Sequence, residues 1–287
     1  MLDQPSKESS QLIEPTHEAR DPAPPDVWDF REITTWRSDI WEVIGNFVLV
    51  EDVRIAFLRS PPEYVVSDDL SWLDSIIYST NGENVDSKFL MTQGLRSRYK
   101  FLRAVHGTRT ADVEAFYRDG LVPLVPENYH NQARELFLSG QYPELSEKSL
   151  QAAIVTVGTD LREKRIFFEA NEEMLIEQAG HYMLYGSEYL TAIAAHLGNR
   201  LDYRQVLKKR GRPTLFVCDV PLDFISESTL QEFAGTALQI VFQELLDGPN
   251  FRRDRWRGAG FCIHKPLPAI NLVGHYHPVI GYDPLTR

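Results

Sequence analysis

Apolar positions along this chain change period several times, and each change predicts an element. Trp28, Trp36, Ile40, Trp41 and Ile44 recur at three- and four-residue spacing, which predicts an amphipathic helix around 33–46. Residues 47–50 and 53–58 read as short strands, stopped by the Pro61-Pro62 pair. A second helix is expected over 68–78, with Ser67 or Asp68 as its cap, and Asn81-Gly82 marks a turn. From residue 100 an apolar run predicts a buried strand over 100–106 that ends in His106-Gly107-Thr108. A short amphipathic helix follows, closed by Gly120. The segment 123–160 reads as mostly helical, clearest at 133–138 and 146–153, and 164–169 as a strand.

The stretch 180–198 predicts a strand over 181–185, a turn at Gly186-Ser187 and a helix to Leu197. Ser187 is its N-cap and Gly198 its stop. Residues 213–220 are rich in β-branched and apolar side chains and end at Pro221, hence a strand; 230–246 has helical period. Short strands are expected at 260–264 and 270–273, and 279–287 is irregular. Short strands separated by helices, without regular βαβ alternation, indicate α+β. Residues 1–26, rich in Pro, Ser, Glu and Asp, form a flexible tail that could act as an autoinhibitory or partner-binding arm; 27–97 form an N-terminal mixed helical subdomain, and 98–287 the functional domain.

The chain's 287 residues are 43% hydrophobic and 11% aromatic, enough for a sizeable core. A formal charge of −11 argues against a general nucleic-acid coat protein but leaves room for local basic patches. Two such runs stand out, 208–212 and 252–257, and could contact phosphates, with Trp256 available to stack on a base. Cys218 and Cys262 lie in apolar runs and read as small core residues. His264, His275 and His277 lack a carboxylate or cysteine at ligand spacing, so no metal is expected. No membrane span or signal pattern is visible, and the expected location is the cytoplasm.

The candidate chemistry centres on His106-Gly107-Thr108. A histidine at a strand end beside a glycine offers an imidazole and an unshielded backbone to one ligand. Downstream, Gly180-His181-Tyr182 is followed by Tyr185 and Tyr189. In this order the two motifs resemble those of the ADP-ribosyltransferase superfamily, in its His-Tyr-Glu branch of diphtheria toxin and the poly(ADP-ribose) polymerases. The likeness covers roughly 99–282. It implies a split antiparallel sheet with flanking helices and an N-terminal extension, and NAD as co-substrate without a metal.

By that resemblance His106 bonds a ribose hydroxyl, and Gly107, Thr108 and Arg109 hold the cofactor, with Arg103 and Arg109 as alternative pyrophosphate ligands. Tyr182 stacks on nicotinamide, and Tyr185 or Tyr189 provides the other face. The third motif departs from the pattern: where the family has a glutamate, the late strand has Gly260 or Phe261. Glu188, Glu244 and Asp219 are the substitutes considered, Glu188 first for its closeness to Tyr185 in sequence. Polymer synthesis is therefore not expected.

The resemblance implies a glycosyltransferase that moves a single ADP-ribose to a macromolecular acceptor, with RNA or DNA slightly favoured over protein. A toxin or antiviral defence role fits, with an antidote or regulatory protein as a further partner. Two other readings stand beside it: a non-catalytic NAD, ADP-ribose or partner-binding module on a degenerate transferase fold, and an enzyme like the RNA 2′-phosphotransferases.

Overall fold

A computed structural model describes residues 23–160, 162–198, 201–252, 260–283 and 285. The chain begins with β1 (Val27–Trp28), then α1 (Ile33–Gly45), α2 (Val50–Arg59), α3 (Ser71–Asn81) and α4 (Ser87–Arg98). The long strand β2 (Phe101–Thr110) leads to α5 (Glu114–Asp119), α6 (Pro126–Phe137), α7 (Glu147–Val157) and β3 (Ile166–Glu169). Four short helices follow: α8 (Glu172–Glu177), α9 (His181–Tyr185), α10 (Glu188–His196) and α11 (Arg204–Leu207). The second long strand β4 (Arg212–Pro221), the long helix α12 (Glu227–Asp247), β5 (Gly260–Ile263) and β6 (Leu272–Tyr276) complete the fold.

The fold is α+β. Five strands lie in the order β5-β3-β2-β4-β6, antiparallel throughout, and β1 adds a short parallel pairing at the start of β2. β2 and β4 pair along their whole length, from Phe101 opposite Pro221 to Thr110 opposite Arg212. β2 and β3 meet at a single register position, Val105 opposite Glu169.

Strand alternation divides the sheet into two faces. Leu102, Ala104, Phe168, Phe216, Cys218 and Phe261 face a large core with Trp28, Trp36, Phe57, Leu73 and the α12 residues Phe233, Leu238 and Phe242. Residues 27–98 thus share one core with the sheet. On the opposite face Val105, Leu215 and Val217 meet Met183 of α9, flanked by Leu175, Ile176 and Tyr276. A third cluster, away from the sheet, joins α6, α7, α10 and α11 around Phe137, Leu150, Tyr189, Ile193 and Tyr203.

Three expected strands are not strands: 47–50 is a turn entering α2, and 53–58 and 181–185 are helical. Within 50–59, Val53 and Phe57 are the buried positions, four apart, while Glu51, Asp52, Arg54 and Arg59 lie on the outer side, so the run folds as α2. The segment 181–185 forms α9, one helical turn with Leu184 N–H donating to the Gly180 carbonyl and Gly186 N–H to that of Tyr182. None of its residues is β-branched, and the edges of β2 are already taken by β1, β3 and β4. Gly186, at φ +86°, ends the turn. The final strand starts later than expected: 269–271 is a 3₁₀ turn and β6 begins at Leu272. The helix expected from residue 68 begins at Ser71 after Leu70, and Asp69 Oδ1 accepts from the Ser71 N–H at 2.9 Å.

Candidate functional site

His106 sits where β2 and β3 part. Beyond Val105 the two strands no longer pair, and the imidazole spans to the other strand: Nδ1 lies 2.8 Å from the Phe167 carbonyl oxygen. A carbonyl only accepts, so Nδ1 carries the proton and Nε2 is left as the acceptor. Burial lowers the His106 pKa against the opposing pull of that carbonyl, which keeps the ring neutral near pH 7. A neutral ring with a free acceptor nitrogen can receive a hydrogen bond from a hydroxyl.

His106 shares its sheet face with Phe216, directly opposite on β4, and with Phe168, whose ring centroid lies 5.9 Å away. Thr108 stands two residues on, opposite Thr214, on the same face. The β6 end of this face is polar, and α5 lies over it: Tyr117 Oη is 2.8 Å from His275 Nδ1, and burial pushes the Tyr117 phenol up to about 12. His277 Nδ1 lies 3.0 Å from the Pro213 carbonyl and 3.2 Å from Thr214 Oγ1, while its buried Nε2 has no partner. The His275 and His277 recognised in the sequence thus belong to this face, whereas His264 Nδ1 lies 3.1 Å from the Lys164 carbonyl. No group of three metal-ligating side chains occurs among the described residues.

Gly107 points to the other face, and that face is filled. A Cβ there would stand 2.8 Å from Leu175 and 3.1 Å from Met183, so α8 and α9 close directly over it. The tyrosines are not brought to His106. Tyr182 is half-buried on α9 with its ring against His181, centroids 4.1 Å apart. Burial first, then Glu188, raises its pKa. The Tyr185 hydroxyl donates to Asp283 at 2.6 Å, and the Lys208 ammonium lies 4.8 Å from its ring. Tyr189 is fully buried in the helical cluster, its hydroxyl 2.8 Å from His130 Nε2.

The three proposed acids have partners too. Glu188 is held by Arg162, whose Nη2 donates at 2.7 Å and whose Nε contacts the other oxygen. Asp219 pairs with Arg103 at 2.9 Å, both side chains nearly excluded from water, and Glu244 with Arg37 at 2.6 Å. Arg103 is therefore committed to a buried ion pair. Arg109 is turned inward, donating Nε–H to the Arg210 carbonyl at 2.7 Å and Nη2 to that of Gly211 at 3.0 Å and to that of Lys208. Of the run 252–257, residues 253–257 lie outside the described residues, as do residues 1–22 of the expected tail.

Two residues of β3 that the sequence reading passed over flank Phe168, with side chains on the Val105 face, across the sheet from the His106 ring. Glu169 is opposite both Val105 on β2 and Gly260 on β5. A Cβ built on Gly260 would be 3.2 Å from Glu169 Oε2, so a carboxylate from the neighbouring strand fills the space over the glycine where the acid was sought. Phe167, whose carbonyl holds His106, is 51% exposed, an unusual state for a strand phenylalanine. Only the pairing of β3 with both β2 and β5 brings these residues forward. Alternation within 166–169 was the one local signal.

No family model matches the chain, and neither a curated protein nor a solved structure does. Among the described residues no helix is long and apolar enough to cross a membrane.

Proposed function

We propose that this chain is an NAD-dependent mono-ADP-ribosyltransferase acting on a macromolecular acceptor. The observation that carries the reading is His106: a neutral imidazole fixed through Nδ1 where two strands separate, its Nε2 left to accept from a ribose hydroxyl. In the reaction the bond between the ribose C1 and the nicotinamide nitrogen breaks, and its electron pair leaves with nicotinamide. The acceptor nucleophile then bonds to C1 and releases its proton. Positive charge develops on the sugar, which a nearby carboxylate stabilises. Glu169 lies on the Val105 face of the sheet, across from His106, and Glu188 is held by Arg162, so neither is assigned that role.

The test is nicotinamide release from NAD by the purified chain, with RNA or lysate protein added as acceptor. Release is expected to fall at least a hundredfold in His106→Ala. It should stay unchanged in Tyr182→Phe and in the control His196→Ala. NAD affinity should hold as pH drops through 6.5 and decline only below it, because the His106 pKa is lowered. Release that survives His106→Ala would sink this assignment.

A non-catalytic NAD- or ADP-ribose-binding module is the second reading, favoured by the closure of Leu175 and Met183 over Gly107. Calorimetric binding of NAD without release under any acceptor would select it.

A further inference from the structure

We propose that the loop 208–212, together with Tyr282, is a docking surface for single-stranded nucleic acid. The loop is built rigidly. The Arg109 guanidinium gathers three of its carbonyls, those of Lys208, Arg210 and Gly211, so the loop backbone wraps around a half-buried cation. Gly211 sits at φ +62°, and a Cβ there would come within 2.4 Å of the Thr110 carbonyl carbon, so the loop presses onto the end of β2. With its carbonyls turned inward, the loop turns Lys209, Arg210 and Arg212 to solvent.

These three cations have no carboxylate partner among the described residues. By contrast Arg31, Arg37, Arg96, Arg134, Arg162 and Arg204 are all in ion pairs. Lys208 itself is taken by Asp283, and the residue before Asp283 is Tyr282, 67% exposed. Three neighbouring unpaired cations, with an exposed aromatic residue next in sequence to the partner of Lys208, are what a flexible phosphate backbone with free bases recognises. The chain's charge of −11 argues against an anionic membrane, whose extended surface would face the acidic remainder of the molecule. A single strand meets only the field within about 10 Å of the loop, the range over which charges act at moderate salt.

Arg212 lies opposite Thr110, four residues along β2 from His106, or about 13 Å at strand spacing. A strand docked on the loop therefore brings its bases within reach of His106. In that respect the surface rests on the transferase reading, as the place where its acceptor sits.

The experiment is fluorescence anisotropy of the full chain with a short labelled single-stranded RNA of mixed sequence, without NAD, over a range of salt. Wild type should bind at low salt and weaken steeply as salt rises. The triple variant Lys209→Glu, Arg210→Glu, Arg212→Glu should bind far less, with a log–log salt slope shallower by about two, since each lost phosphate contact removes roughly 0.7. Tyr282→Ala should weaken binding about tenfold without changing the slope. All changed residues are exposed, and unchanged circular dichroism and melting would show that the variants fold. Three results would each overturn the proposal: no binding of RNA or of single-stranded DNA at low salt, equal binding by the triple variant, or binding of phosphatidylserine vesicles in preference to RNA. Intact RNA binding without nicotinamide release would leave this surface standing and remove only the transferase reading.

Discussion

On one face of the sheet, Trp28, Trp36, Phe57, Phe216 and Phe242 are fully buried, Trp28 meeting Trp36 and Phe57 meeting Phe242 edge-to-face, and residues from both ends of the chain join one apolar mass. On the other face four buried apolar residues suffice, and charge does much of the rest. Arg103 pairs with Asp219, Arg31 with Glu172, and the Tyr276 hydroxyl donates to Glu172 at 2.8 Å. The first face gains stability from area and packing, which depend on volume and tolerate little loss of it. The second relies on directional contacts whose loss leaves charge stranded in low dielectric. His106 lies at the border of these regimes, where the ladder between β2 and β3 gives out.

Substitutions can break this contrast. Phe242→Ala should cost about 3–5 kcal/mol in urea unfolding, because its ring is fully buried against Trp41, Phe57 and Trp72. Asp219→Asn should cost about 3 kcal/mol by leaving the Arg103 guanidinium uncompensated. The double variant Arg103→Met, Asp219→Leu should recover most of that loss. If it does not, the charged face is held by packing like the other. Gly211→Ala should cost about 1–3 kcal/mol, since the loop must leave its positive φ and its contact with Thr110.

The smallest effect is pH-dependent. Burial works to raise the Asp283 carboxyl, but hydrogen bonds from Lys208 and Tyr185 outweigh it and hold the pKa at about 2. A carboxyl lowered on folding contributes stability that is present above its ordinary value near 3.8 and lost as pH falls through about 2. The gap in melting temperature between wild type and Asp283→Asn should therefore be constant above pH 4 and close between pH 4 and 2. A gap that persists at pH 2 would mean that Asp283 acts by packing alone.

Legibility varied with the distance over which a residue finds its partner. The helix expected at 33–46 appears as Ile33–Gly45, and Ser187 caps α10 by accepting from the Leu190 N–H, as its position before the apolar run implied. The strand expected over 213–220 is Arg212–Pro221, and the long helix expected over 230–246 is Glu227–Asp247. Short runs misled where apolar content alone was weighed: 53–58 holds buried residues four apart, a helical spacing compressed into six positions. In the candidate site, His106 was visible as a histidine at a strand end. The Phe167 carbonyl that holds it was not, because what marks it is the strand it lies against.

By itself the sequence determined where the long elements turn helical or extended and which side of each is apolar, because those properties follow from the 3.6- and 2-residue periods and from local caps. Only the tertiary structure decided what each polar group does. His106 finds its carbonyl 61 residues away, Arg109 its loop about 100 away, and Arg103 its carboxylate 116 away. Each of those choices was open to several candidates in the chain, and the pairing of β2 with β3 and β4 selected one. A hydrogen bond or ion pair depends on geometry within a fraction of an ångström, and no local pattern carries geometry across such separations.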